Sequence, residues 1–291
     1  MRRKIIISIL IVILSLLFLT GAKSSVLTKE EYISEIARLE QEIADLEKSI
    51  DLLKIQMASY DAEYEKLVKE LDGDLTKDDM YDWLNQCNIY NVRSNVKITA
   101  RHYNSILGIE TSHKEVSGSG FIFCESGNRK YVLTSYFLTS GSGYNKVSFK
   151  LNDAFQTEYN ATLYKASEKY GLAILYFTDT KQNDLYVAPL ATTNPNVGSP
   201  ICNIYSLNGS AYNHMNFSKV YSYEGSTYFD FNLIKNEIDT VSSIYGCMSV
   251  GLDGRVVGMV SLTNSGSTNY CKSIPVSKIR EYLVTVGFNF S

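Results

Sequence analysis

From Cys87 onward the sequence breaks into short apolar runs separated by Gly, Asn and Ser, and this spacing limits the fold more than any other feature. Ten runs are candidate strands: 95–103, 116–124, 130–135, 146–151, 161–164, 172–177, 200–206, 212–221, 227–233 and 255–262. None is long enough for a typical helix, and most enrich β-branched or aromatic residues. Many short strands with turn residues between them predict an all-β barrel or sandwich. Within 239–262 the triplet Leu252-Asp253-Gly254 supplies a tight turn joining two strands. The last segment, 276–286, places Ile279, Leu283 and Val286 at helical spacing and predicts a closing helix.

The chain before Cys87 follows other periods. Arg2, Arg3 and Lys4 precede an uncharged run of 18 residues, Ile5 to Ala22. That length just spans a hydrocarbon core of about 30 Å. The basic flank stays cytoplasmic, so the remainder is expected outside the cell membrane as a single-pass protein. The alternative is a cleaved signal peptide ending at Thr20-Gly21-Ala22, which makes the protein secreted. Ile36, Leu39, Ile43, Leu46, Ile50, Leu53, Met57, Tyr60, Tyr64, Leu67 and Leu71 step by three and four without a break. This is a heptad seam, and residues 28–71 are expected to form a coiled coil that brings chains together. Ile at a and Leu at d favour a parallel dimer, yet Glu35 with Glu40 and Glu42 with Glu47 then become like-charge contacts. A lone amphipathic helix folded onto the domain is the other reading. Asp72-Gly73-Asp74 breaks the seam, and Thr76 with Asp79 predicts a capped short helix to Gln86. Four segments follow: 1–22 anchor, 28–71 coiled coil, 72–86 linker helix, 87–291 β domain.

Composition narrows the function classes. The formal net charge of −3 gives no electrostatic case for nucleic acid. The five cysteines, Cys87, Cys124, Cys202, Cys247 and Cys271, include no Cys-x-x-Cys pair, so neither a metal site nor a cofactor is expected. An odd number leaves at least one thiol unpaired in an exported protein, with buried inert cysteines and one or more disulfides both open.

Six blocks resemble trypsin-like serine proteases, especially the bacterial HtrA/Deg branch. Ile244 to Met259, I-Y-G-C-M-S-V-G-L-D-G-R-V-V-G-M, falls without a gap on that branch's nucleophile loop and the strand after it. Gly118 to Ile122 resembles the G-S-G-F-I of the first barrel. Tyr131 to Leu138 resembles the strand reading V-L-T-A-A-H-V, and Gly171 to Leu175 resembles D-L-A-V-L. Val197 to Ile201 and Ser273 to Ile279 resemble the start of the second barrel and the A-I-P-V-S-x-I before the final helix. No PDZ-like segment is read after them. The resemblance implies a chymotrypsin-like double β-barrel with a C-terminal helix.

It also implies where the chemistry belongs. Peptide hydrolysis by this family needs a hydroxyl nucleophile, an imidazole base and an orienting carboxylate. At the matched positions stand Tyr245, Phe137 and Gly171. Phe accepts no proton and Gly has no side chain, so no catalytic residue is expected. Cys247 is a rival nucleophile if two residues were deleted upstream, and a buried strand cysteine otherwise. His102, His113 and His214 all lie outside the block that carries the family's base, and each reads as a solvated or turn histidine. Tyr270, Cys271, Lys272 and Ser273 correspond to the strand edge and pocket wall that hold substrate in the family. The expected function is an inactive protease homologue that binds a peptide or protein partner at a membrane. The alternatives are an active serine- or cysteine-type endopeptidase with relocated residues, and a coiled-coil stalk whose barrel is a spacer.

Overall fold

The computed structural model describes residues 33–44, 47, 77–107, 109–181, 183–206, 213–238, 244–264 and 270–289, with the backbone alone for 77 and 262–264. The chain divides into two compact units, residues 1–62 and 63–291. In the first, residues 33–44 are helical, and Arg38 bridges Glu35 one turn before it and Glu42 one turn after it. The expected anchor at 1–22 and most of the heptad seam lie outside the described residues. Among the described residues no helix is long and apolar enough to cross a membrane.

The second unit is mainly β. Six strands close a barrel in the order β1-β2-β3-β6-β5-β4, every neighbour antiparallel. They are β1 (Asn95–Ile106), β2 (Ile109–Ser126), β3 (Arg129–Ser135), β4 (Lys146–Asn152), β5 (Glu158–Ser167) and β6 (Leu172–Thr178). Alternation builds the core: Val96, Ile98 and Ala100 point inward from β1, and meet Ile122, Val132, Leu151, Leu175 and Phe177. The remaining strands are β7 (Pro200–Ser206), β8 (Asn213–Lys219), β9 (Ser222–Glu224), β10 (Leu233–Glu237), β11 (Met248–Gly251), β12 (Val256–Asn264) and β13 (Tyr270–Pro275). They form a seven-stranded half-barrel in the order β8-β7-β11-β12-β13-β10-β9. β8, at one end of this order, also meets β10 near the other, where Glu237 N donates to Ser218 Oγ (3.0 Å).

Helical segments flank the sheets. The helix α1 (Lys77–Gln86) runs through a π-helical turn (Cys87–Asn91) into the short α2 (Val92–Ser94). Met80 and Trp83 are buried, and the Trp83 indole meets the Phe217 ring edge-on at 5.2 Å. Gln86 and Asn91 donate to the Asp253 and Gly254 carbonyls, so this run holds the β11–β12 turn. That turn is the tight one expected at 252–254, with Gly254 in the left-handed region. The closing helix α3 (Val276–Thr285) follows β13 directly.

Two sequence expectations are corrected. The predicted strand 227–233 is a loop over most of its length, and the strand lies later, at β10. Its aromatics serve packing instead: Phe229 and Phe231 stack at 5.2 Å, and Lys278 of α3 lies over Phe231. β10 was hidden because its inward side chain at 236 is polar. Asn236 is fully buried, and its Oδ1 accepts from Asn203 Nδ2 (2.9 Å) and from Cys271 Sγ (2.8 Å), which removes the apolar alternation. β2 also begins seven residues before the expected Val116, since residues 109–115 are exposed and carry no periodic signal.

Candidate functional site

The site is assembled at the junction of the two sheets. After β3 the chain makes a 3-10 turn, Tyr136–Leu138, in which Ser135 Oγ accepts from Phe137 N (3.3 Å). Leu138 enters the core of the first barrel, which leaves Phe137 facing outward at 42% exposure. Tyr136 N donates to the Gly171 carbonyl at 2.9 Å, which places the start of β6 beside this turn. Gly171 adopts a φ of +69°, and a Cβ there would meet Phe229 Cζ at 2.5 Å. The phenyl ring of the β9–β10 loop therefore fills the space in which a side chain at 171 would stand.

The second sheet brings the turn Ile244–Cys247, closed by Cys247 N donating to the Ile244 carbonyl (3.0 Å). Both barrels hold it. Ser119 N of β2 donates to the Tyr245 carbonyl (2.9 Å), and Gly246 N donates to the Val260 carbonyl of β12 (2.8 Å). The Tyr245 ring lies against the Phe137 ring, with centroids 5.7 Å apart and planes tilted by 39°. Phe137, Gly171 and Tyr245 thus converge.

The other sequence candidates lie elsewhere. Cys247 is fully buried in an apolar cluster with Tyr205, Ile238, Ile244, Val260 and Cys271. Burial pushes the Cys271 thiol well above its ordinary value, against the pull of its Asn236 hydrogen bond. Among the described residues no group of His, Cys, Asp or Glu is arranged to hold a metal ion. His113 is exposed and ion-paired with Glu110 at 2.9 Å. His214 stacks on Tyr205. His102 corrects its expectation: it is buried in the mouth of the first barrel rather than solvated.

The segment Tyr270–Ser273 stands inside the second sheet. It lies within β13, which pairs with β12 on one side and β10 on the other, so its backbone presents no open edge. Cys271 and Ser273 are buried, Lys235 covers the Tyr270 ring at 4.5 Å, and Lys272 pairs with Glu224 at 2.8 Å. β12 outlasts its partner β11. Its pairing with β11 reaches Met259, and backbone bonds from the 244–247 turn reach Val260. Among the described residues no strand pairs with that side of 261–264. The sequence signal for this edge was the strand after the Asp-Gly turn, which outlasts β11 by several residues.

A closed six-stranded barrel joined to a half-barrel, with a glycine turn pinned between them, defines the chymotrypsin-like protease fold. Solved structures agree. A crystal structure of the Rv3671c protease in an inactive form superposes with a TM-score of 0.51 at 16% identity, covering 70% of this chain and 93% of that chain. The active form of the protease, from M. tuberculosis, gives the same TM-score and identity and covers 68% of this chain and 82% of that chain. At this identity the likeness establishes the fold. No family model and no curated protein matches the sequence.

Proposed function

We propose that this chain is a protease homologue, of the HtrA-like kind that its sequence blocks resemble, which has exchanged catalysis for binding. The observation that carries the reading is the convergence of Phe137, Gly171 and Tyr245 at the sheet junction, with Phe229 filling the space above Gly171. Neither a phenyl ring nor a glycine accepts or orients a proton, so the triad chemistry has no base and no carboxylate at these positions. What such a site retains is shape and a backbone edge. An extended peptide laid along 261–264 gains main-chain hydrogen bonds and passes beside Tyr245 and the exposed face of Phe137. In this reading residues 1–22 anchor the chain, residues 36–71 join it to further copies, and the barrels stand outside the membrane to capture a peptide or protein.

The test is direct. The protein, purified in detergent, is incubated with casein and with short chromogenic peptides, and is probed with fluorophosphonate and thiol-directed labels. No turnover and no fold-dependent labelling are expected. Labelling of Cys247 or of any serine that disappears on unfolding replaces this reading with an active peptidase whose residues have moved.

A further inference from the structure

Beyond this cleft, one buried group has no role in the fold's apolar bookkeeping. β1 points Val96, Ile98, Ala100 and His102 into the first barrel, and His102 is 3% exposed. Loop 139–145 roofs it. Gly141 lies on the imidazole, so that a Cβ there would be 2.4 Å from Nδ1, and the Tyr144 ring centroid is 6.2 Å away. Nε2 is buried without a hydrogen-bond partner.

The groups around the ring decide which protonation state the site accepts. β2 places Lys114 directly across from His102, and β4 places Val147 there, next to Lys146. The 3-10 turn contributes the Leu138 carbonyl, and the loop contributes Tyr144 and Gly141. None of these is a carboxylate. Burial, and to a smaller degree the Lys114 ammonium, hold the imidazole below its ordinary value of 6.5 against the opposing Leu138 carbonyl. A neutral ring fits. An imidazolium there has two N–H donors, one neighbouring acceptor and an adjacent like charge, and reaches water only if the loop moves.

The loop is unevenly held. Its far end is fastened to the β1–β2 hairpin, where Asn145 N donates to Asn104 Oδ1 (3.1 Å) and Asn104 Nδ2 to the Gly143 carbonyl (3.0 Å). Its near end starts at Thr139, directly after Phe137 and Leu138, and Thr139 bonds back only to the Tyr136 carbonyl among the hydrogen bonds described. We propose that loop 139–145 is an acid-released latch: protonation of His102 lifts its near end from the barrel and draws Phe137 off Tyr245. The consequence for peptide capture rests on the function proposed above; the latch itself does not.

The direction of the pH dependence follows from linkage. The folded chain keeps His102 neutral below the pH at which the unfolded chain protonates it, so the unfolded or opened form binds more protons. The closed loop is fully held above about pH 6.5 and is lost as pH falls through the lower folded-state value.

Amide exchange of residues 139–145 is measured on the full chain in detergent at pH 7.5 and pH 5.0, corrected for intrinsic exchange. The expected result is at least a tenfold loss of protection at pH 5.0 in the wild-type chain and none in His102→Phe, which keeps a ring and removes the titration. An equal loss in both chains, or no loss in the wild type, overturns the latch. The His102 Cε1 proton, followed by NMR in the wild type, gives a second reading should His102→Phe not fold. A midpoint below 6.5 shared by the Tyr144 and Phe137 ring signals supports the latch; a midpoint at or above 6.5 overturns it. Neither measurement uses a peptide, so failure to bind one counts against the previous reading alone.

Discussion

Gly246 shows how closely the two sheets meet. A Cβ at this position would come within 2.1 Å of the Ser119 carbonyl oxygen and 2.5 Å of Thr134 Oγ1, on a residue whose φ is +85°. Gly246→Ala is expected to cost about 2–3 kcal/mol, the scale of a strained backbone held by its surroundings, read from the shift of a urea midpoint. A loss below about 1 kcal/mol means that the turn gives way more easily than these contacts allow. Gly171 carries a related constraint, since Phe229 occupies the space beside it. Installing the family's residues as Phe137→His, Gly171→Asp and Tyr245→Ser is therefore expected to yield no turnover of an activated ester. A gain should appear only after Phe229→Ala makes room for the carboxylate. Turnover by the triple variant alone shows that the Phe229 ring moves aside freely.

At the scale of elements, α1 carries weight that its amphipathic pattern did not display. Residues 72–86 read as a joint between stalk and barrel, yet Met80 and Trp83 are buried and Trp83 packs on Phe217 of β8. Trp83→Ala is expected to lower stability by about 3–5 kcal/mol, as for other large aromatics removed from a core. A fragment 87–291 should melt well below a fragment 77–291, and equal midpoints dismiss a packing role for α1. The outer face of β9, β10 and β13 is tied by one acid. Glu224 bonds Lys272 (2.8 Å) and Lys235 (2.9 Å), and the two ammonium groups, Lys272 first, pull its carboxyl down to about 2. Its contribution is present above the ordinary carboxylate value of 4.5 and is lost as pH falls toward 2. The pair is a third exposed and water screens it, so Glu224→Gln should cost under about 1 kcal/mol at neutral pH and flatten part of the acid-denaturation curve. An unchanged acid limb in that variant removes Glu224 from the account.

For the whole molecule, the junction of the two sheets is the property that no single element owns. It arises because β12 outlasts β11 beside a turn that both barrels grip. Binding of an extended peptide there should protect the amides of 261–264 from exchange and leave those of β13, already paired on both sides, unchanged. Protection confined to 270–273 places the peptide elsewhere. Strands whose inward residues are apolar were legible in the sequence to within a residue or two: β3, β4, β6, β7 and the closing helix α3. β10 was not, because Asn236 replaces an apolar side chain with buried hydrogen bonds. The exposed start of β2 was not, because a strand that buries neither face leaves no period to read. The sequence by itself determined the β class and the position of the tight turn at 252–254, since these depend on local order and chemical type. Only the tertiary structure decided that the Phe137 and Tyr245 rings meet, that Phe229 fills the space over Gly171, that His102 is buried and that β12 outlasts its pairing with β11. Each of these is a meeting of residues far apart in the chain, fixed by barrel closure and strand register rather than by anything their neighbours in sequence encode.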